Sequence, residues 1–433
     1  MDSSTLNPLV VLPGLGGTNL DFSIDSSFKS KNCNNKGLEA LEKIQPGLWV
    51  NPVGLLLQKD CILDMLRPRY NKNTQTLENA TGLKVFPRGD YIGDPLSSIC
   101  LAYILNSEKC YPVTDYSKNF VDFFTNKGYK AGYNLFIKGY DFRLVPYKNH
   151  ADKFFNELKE LIEKTYKTTG KKICLVGHSL GTLLSNMFLN KMSAKWKSHY
   201  IKSFIPISPA YDGAPKALRT ALSGYDFGLS DVINVTDQDF TYVARSMAGV
   251  AATIPLLSGM YGEIKCGNNK YSEGTGNAVN ILFGKTTKEY NLNNYKNVIE
   301  MIEQISIDVY DYTRNPSDVK YLNVLTSIMR PIAKERSKYC YTDPEVEVYQ
   351  LIARPVSTET SYLYNGNFSG GPIFTTDVVG DEDIPVYGAN IPKIYKWKKV
   401  TNKIFPPIDG INHYTLYTNC PSAYAYIYEI ANC

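Results

Sequence analysis

The chain has 433 residues, 43% of them hydrophobic and 21% charged, which describes a globular protein with a sizeable core and excludes a disordered or fibrous one. Its net charge of +5 is spread over lysines interspersed with acids, without a basic block, so nucleic-acid binding has no support. No apolar run reaches membrane-spanning length, and the best candidate, Met247 to Met260, is short and contains Pro255, so a membrane would be met from its surface.

Pro8 to Leu12 reads as a short apolar strand running into Pro13-Gly14-Leu15-Gly16-Gly17, a turn that brings backbone close to another group. The residues before Pro8 are polar, and no targeting segment is expected among them. Asn32 to Arg69 form an apolar excursion. In it Leu38, Leu41 and Ile44 suit a helix face, while Pro46, Gly47, Pro52 and Gly54 break the next stretch into a loop. That loop would hold Leu48, Trp49, Val50, Leu55, Leu56 and Leu57, which are hard to bury together and are candidates for lipid contact. Phe120, Phe123 and Phe124 predict a helix ended by Gly128, followed by a strand around Asn134 to Ile137. Phe154, Leu158, Leu161 and Ile162 line one face of a second helix, closed by Thr169 and Gly170.

The next segment carries most of the information. Ile173 to Val176 suits a fully buried parallel strand, and Leu183, Leu184, Met187 and Phe188 suit the buried face of a helix that starts at once. Between them, Gly177-His178-Ser179-Leu180-Gly181 is a GxSxG pentapeptide, the sequence form of a nucleophile elbow. A side chain at Gly177 or Gly181 would collide where strand and helix pass closest. Ile201 to Ile207 is another apolar strand, and the alternation of strands and helices predicts a parallel sheet covered on both faces. From about Tyr211 to Tyr339 the pattern becomes irregular and rich in Gly, Asn and Tyr with short helical stretches, as an inserted cap would. Glu345 to Ile352 resumes the strands, Gly370 to Val386 holds an acidic turn, and Lys403 to Tyr417 contains the last histidine.

A serine hydroxyl needs a base within reach and a carboxylate to orient that base. Of four histidines, His178 belongs to the elbow, His199 follows the elbow helix and His150 opens an earlier one. In the chain order Ser, Asp, His, only His413 lies far enough downstream. For the carboxylate, Asp381 follows Gly380 directly and is preferred, Asp383 is the alternative, and Asp343, Asp377 and Asp409 rank below them. Two backbone donors should meet the oxyanion, the amide of Leu180 at the helix start and that of Leu15 in the glycine-rich turn. That turn lacks the spacing of a phosphate-binding loop.

Of nine cysteines, Cys174 lies in the proposed buried strand. The close pairs Cys33 with Cys61, Cys100 with Cys110 and Cys420 with Cys433 would leave Cys266 with Cys340, one connectivity among several. Asn79, Asn234 and Asn367 begin glycosylation sequons. Both features favour an oxidising, secretory-route compartment over the cytosol.

These motifs together resemble the lecithin:cholesterol acyltransferases and their relatives lysosomal phospholipase A and phospholipid:diacylglycerol acyltransferase. The resemblance rests on VVLPGLGGTNL at Val10 to Leu20, LWVNPVGLLLQKDCILDMLRPRY at Leu48 to Tyr70, GYDFRLVP at Gly139 to Pro146, VGHSLGT, GDED, and GINHYTLY at Gly410 to Tyr417. It implies an α/β-hydrolase fold, an acyl-enzyme at Ser179 and a phospholipid acyl donor, with Leu15 and Leu180 in the oxyanion positions. It also implies that Cys33 and Cys61 form the bridge bracing a lid. The acid turn departs from the family, with Ile384 and Pro385 where Thr and Val are usual, and Phe142 stands where tryptophan is common.

The expected architecture is therefore an α/β-hydrolase core, with a mostly parallel sheet, over 8–210 and 340–433. A lid or membrane-binding excursion would span 32–75 and a cap 211–339. The expected function is a serine phospholipase A or O-acyltransferase passing the chain to water or a lipid alcohol, with a neutral-lipid or general carboxylesterase, or a non-catalytic lipid-binding protein, as alternatives. No metal or cofactor is expected, since GDED is too short for a calcium loop. Its partners would be a phospholipid membrane or lipoprotein surface, and its location secreted or lysosomal.

Overall fold

Strands that read as unbroken apolar runs are buried on both faces, and the sheet they build is parallel. A computed structural model describes the chain apart from residues 1–4, 35, 40–46, 102–109, 111–113, 227–229, 231–234, 256–279, 284–288, 292–294, 296, 314–315, 340, 365–367 and 369–370. Leu9–Leu12 (β1), Leu135–Ile137 (β2), Ile173–His178 (β3), Ile201–Ile207 (β4), Glu347–Ala353 (β5) and Val400–Phe405 (β6) form one sheet. Its order is β6-β5-β4-β3-β1-β2 and every pairing is parallel. β1, β2 and β3 are buried along their whole length, whereas β6 is a largely exposed edge.

The order of strands locates the site. After β1 the chain moves to β2 on one side and returns to β3 on the other, so a crevice opens between the carboxyl ends of β1 and β3. Those ends carry the Gly14–Gly17 turn and Ser179. The helices include Pro52–Leu66 (α1), Lys148–Thr169 (α2), Leu180–Lys191 (α3) and Pro421–Asn432 (α4). α2 turns its predicted face inward and ends at Gly170 in the left-handed conformation, with φ of 68°. α3 is buried from Leu180 to Leu189. A parallel sheet of this order with a serine turn between β3 and α3 is an α/β-hydrolase fold.

Several expectations are corrected. The stretch after Trp49 is not a loop. Pro52 occupies the first turn of α1, where its missing N–H costs nothing, and Asn51 caps the helix by accepting from the Gly54 amide at 2.7 Å. The region 211–339 also holds two long helices, Val298–Thr313 and Pro316–Ser337. Val356–Tyr364 and Phe374–Gly380, within the stretch assigned to the core, pair antiparallel and join Asn280–Phe283 in a second, four-stranded sheet. The alternating burial of Val356–Tyr364 is the mark of a strand with one buried face.

Cys33–Cys61 and Cys100–Cys110 are disulfides. Cys420 and Cys433 are not paired. They sit at opposite ends of α4, and a helix of 12 residues holds its ends about 18 Å apart, far beyond the reach of a bridge. Leu41, Ile44, Asn234, Cys266, Cys340 and Asn367 lie outside the described residues.

Candidate active site

Ser179 sits between β3 and α3 with φ of 51° and ψ of −121°, a conformation unfavourable for a residue with a side chain. The flanking glycines make it possible. A Cβ on Gly177 would stand 2.8 Å from the Gly181 carbonyl oxygen, and one on Gly181 only 2.2 Å from that of Leu12.

His413 Nε2 lies 2.9 Å from Ser179 Oγ, and His413 Nδ1 lies 2.9 Å from Asp381 Oδ2. Asp381 is held in turn. Its Oδ1 accepts from the amides of Asp383 at 3.1 Å and Ile384 at 2.7 Å, and its carbonyl accepts from the His413 amide at 2.7 Å. All three side chains are buried. The other acids are elsewhere: Asp343 accepts from the Lys398 amide at 2.8 Å, and Asp377 pairs with Ser357. His150 bonds the Leu77 carbonyl at 2.7 Å, and the His199 ring packs at a tilt against Tyr166, centroids 4.8 Å apart.

Asp383 lies on the opposite side of the imidazole, 3.8 Å from His413 Nε2, and forms an ion pair with Lys216. Burial alone would raise the Asp383 carboxyl, but Lys216 and His413 hold it below the usual range. Burial likewise pulls the His413 imidazole down, yet Asp381 and Asp383 outweigh it and raise it above its ordinary value, with Lys216 opposing. Were His413 the base for Ser179, only its neutral form could accept the proton, and kcat/KM on a soluble ester would fall on the acid side with an apparent pKa above 6.5. Asp383→Asn removes a raising charge and moves this limb to lower pH; Lys216→Met removes a lowering one and moves it up. An acid limb that stays fixed in both variants would contradict this assignment.

The Gly14–Gly17 turn closes through Gly17 N–H to the Gly14 carbonyl at 3.1 Å, a bond that leaves the amides of Leu15 and Gly16 unused. Leu180 opens α3, so its amide has no carbonyl one turn back to donate to. A cavity of about 340 Å³ opens over Ser179 and His413, lined by Gly14, Leu15 and Gly16, by apolar Trp49, Val50, Leu101, Ala214 and Ala217, and by polar Lys216, Glu382, Asp383 and Asn412. Lys216 and Tyr116, which also line it, escaped the sequence reading, because no local pattern marks a side chain that reaches the site from another element. Among the described residues no group of three His, Cys, Asp or Glu could hold a metal ion.

The apolar excursion divides in two. Leu48, Trp49, Val50 and Leu55 are buried, so the expectation that Trp49 reaches a lipid surface is corrected. Its indole N–H donates to the Gly16 carbonyl at 2.7 Å and its ring packs edge-on to Phe142 and Phe240. Leu56 and Leu57, 69% and 66% exposed, are the residues of this stretch that face solvent.

Comparison with known proteins bears on the same residues. The family model for lecithin:cholesterol acyltransferase matches residues 46–386. The chain belongs to the lecithin:cholesterol acyltransferase family. The match takes in Ser179, Lys216, Asp381 and Asp383, starts beyond Leu15 and stops short of His413. Mouse phosphatidylcholine-sterol acyltransferase is 28% identical over 54% of this chain and 50% of its own. Bovine lysosomal phospholipase A and acyltransferase is 30% identical over 50% of each. Lecithin-cholesterol acyltransferase-like 1 of Arabidopsis thaliana is 28% identical over 52% of this chain and 54% of its own. The chain thus spans about half the length of the curated relatives it matches. Among solved structures, a chain of the Tle4-Tli4 complex aligns over 98% of both chains at 13% identity with a TM-score of 0.47.

Proposed function

We propose that this family member is a serine lipolytic enzyme that takes a fatty acyl group from a glycerophospholipid and gives it to water or to a lipid alcohol. The observation that carries this reading is the Ser179–His413–Asp381 relay opening into a cavity with both apolar and charged lining. His413 Nε2 takes the proton of Ser179 Oγ as the oxygen attacks the ester carbonyl, while Asp381 holds Nδ1–H and steadies the imidazolium. The amides of Leu15 and Leu180 receive the oxyanion. The lysophospholipid oxygen leaves with the proton from His413, and water or an alcohol then attacks the acyl-enzyme with the same base. Trp49 and Val50, from the apolar lining, are suited to the acyl chain.

Substrate would come from a membrane or lipoprotein surface met by residues 32–75. None of the described helices is long and apolar enough to span a bilayer, and the two exposed leucines on α1 suit a surface contact. The two disulfides support a secreted or lysosomal setting. The double replacement Leu56→Ser with Leu57→Ser is expected to weaken vesicle binding at least about tenfold, since each large side chain transferred into lipid is worth about 1.5 to 3 kcal/mol. Turnover of a soluble short-chain ester should persist; equal loss on both substrates would refute the contact.

Incubation with labelled phosphatidylcholine vesicles, with and without a lipid alcohol, tests the whole reading. Free fatty acid or a new ester should appear, and neither with Ser179→Ala. Activity on soluble esters alone would instead favour a carboxylesterase, and no turnover at all would leave a lipid-binding protein.

A further inference from the structure

The oxyanion turn and the loop carrying His413 arise at opposite ends of the sequence, yet two buried chains of hydrogen bonds join them. In the first, the Gly14 amide donates to the Tyr116 hydroxyl oxygen at 2.8 Å, Tyr116 meets His178 Nδ1, and His178 Nε2 lies 3.0 Å from the His413 carbonyl. The direction of every proton is set by the ends. A carbonyl only accepts, so Nε2 of His178 carries the hydrogen. Burial, with His413 adding to it, pushes the His178 imidazole down to about 3, so the ring is neutral and Nδ1 is bare. Tyr116 must then donate to Nδ1, which leaves its lone pairs for the Gly14 amide.

The second chain is fixed by the same logic and runs the opposite way, from Tyr417 towards the turn. The Gly17 carbonyl accepts from Ser98 Oγ at 2.6 Å, Ser98 therefore accepts from Ser117 at 2.9 Å, and Ser117 from the Tyr417 hydroxyl at 2.8 Å. Tyr417 lies flat against His178, ring centroids 4.9 Å apart and planes 14° from parallel. Tyr116, His178, Ser98, Ser117 and Tyr417 are all at most 3% exposed. Space is equally tight: a Cβ on Gly14 would stand 2.9 Å from Tyr116 Oη and 3.0 Å from Ser179 Cβ.

We propose that Tyr116 and His178 are positioning residues that fix the oxyanion turn relative to the His413 loop, so that donor amide and base converge on Ser179 in one geometry. This rests on the acyl-transfer reading of the site. Proton transfer and oxyanion stabilisation belong to one step, and each fails when its group is displaced. A bridge of neutral, fully paired groups inside a buried site sets that separation without adding charge.

Tyr116→Phe removes a single oxygen and leaves the Gly14 amide and His178 Nδ1 without their partner. Expected is a fall in kcat of up to about 100-fold, the order for an ångström-scale misplacement. KM and the acid limb of the pH profile should stay unchanged, because the base keeps its carboxylates. Inactivation by a fluorophosphonate, whose tetrahedral adduct uses the same oxyanion donors, should slow in parallel. In His178→Gln the amide N–H can donate to the His413 carbonyl and the amide oxygen can accept from Tyr116, so it should retain most activity while His178→Leu does not. Tyr116→Phe combined with His178→Leu should lose no more than the worse single variant. Wild-type kcat in Tyr116→Phe, a loss confined to KM, or equal losses in His178→Gln and His178→Leu would each overturn the proposal. Should His178→Leu fail to fold, Tyr116→Phe decides alone. Failure of the acyl-transfer reading is distinct: the wild-type protein itself would then not be labelled at Ser179 by the fluorophosphonate.

Discussion

Ser179→Ala is expected to abolish the proposed acyl transfer, lowering kcat by about a millionfold, because a nucleophile and its base act as a unit and removing one removes the pathway. Asp381→Asn should come next at about ten-thousandfold, since an amide on Nδ1 favours the wrong imidazole tautomer and cannot steady the imidazolium. Asp383→Asn is the instructive contrast. Its carboxylate sits beside Nε2 at 3.8 Å and is engaged by Lys216, so its loss should alter the pH profile and leave kcat at the optimum within about tenfold, the range of a single charge interaction. Steady-state kinetics on a soluble ester read all three. A larger loss in Asp383→Asn than in Asp381→Asn would reverse the assignment of the two acids.

Gly181→Ala carries the largest expected cost to folding. The new methyl would meet the Leu12 carbonyl oxygen at 2.2 Å and that of Pro13 at 2.8 Å. Those atoms are main chain at the end of β1 and cannot swing aside as a flexible side chain would. Overpacking of this kind typically costs about 1 to 3 kcal/mol, and contact with rigid backbone belongs at or beyond the upper end. Relief would require β1 and α3 to separate, which also draws the Leu15 amide away from Ser179. Thermal unfolding followed by circular dichroism should show a clearly lowered Tm together with reduced kcat. Gly170→Asn is the control: a Cβ there meets nothing within 4 Å, and asparagine tolerates the left-handed conformation. An unchanged Tm in Gly181→Ala would mean that strand and helix are not in the contact described.

What sequence determined by itself is the local geometry. The run Ile173 to Val176, the two glycines around Ser179 and the helical face beyond it specify a strand, a sharp turn and a helix, because each depends on neighbours within a few residues. Chain order then left His413 as the one histidine expected to serve as base, and in the fold its Nε2 lies 2.9 Å from Ser179 Oγ. The pattern misled where a proline was read as a break. Pro52 begins α1 because Asn51 caps it, and the same two residues can end one element or start the next.

Tertiary structure alone decided the rest. Asp381 and Asp383 share one turn and one residue type, and only the direction of each side chain sends the first to Nδ1 and the second towards Lys216. Trp49 is apolar enough for a lipid surface, but the pocket between Gly16, Phe142 and Phe240 buries it. The helix between Cys420 and Cys433 keeps apart two thiols that sequence proximity suggested joining. Tyr116 reaches His178 across 62 residues and His178 reaches His413 across 235. Spacing along a chain encodes periodicity and turn chemistry, whereas the choice of partner at such separations depends on how elements pack, and no short-range pattern records it.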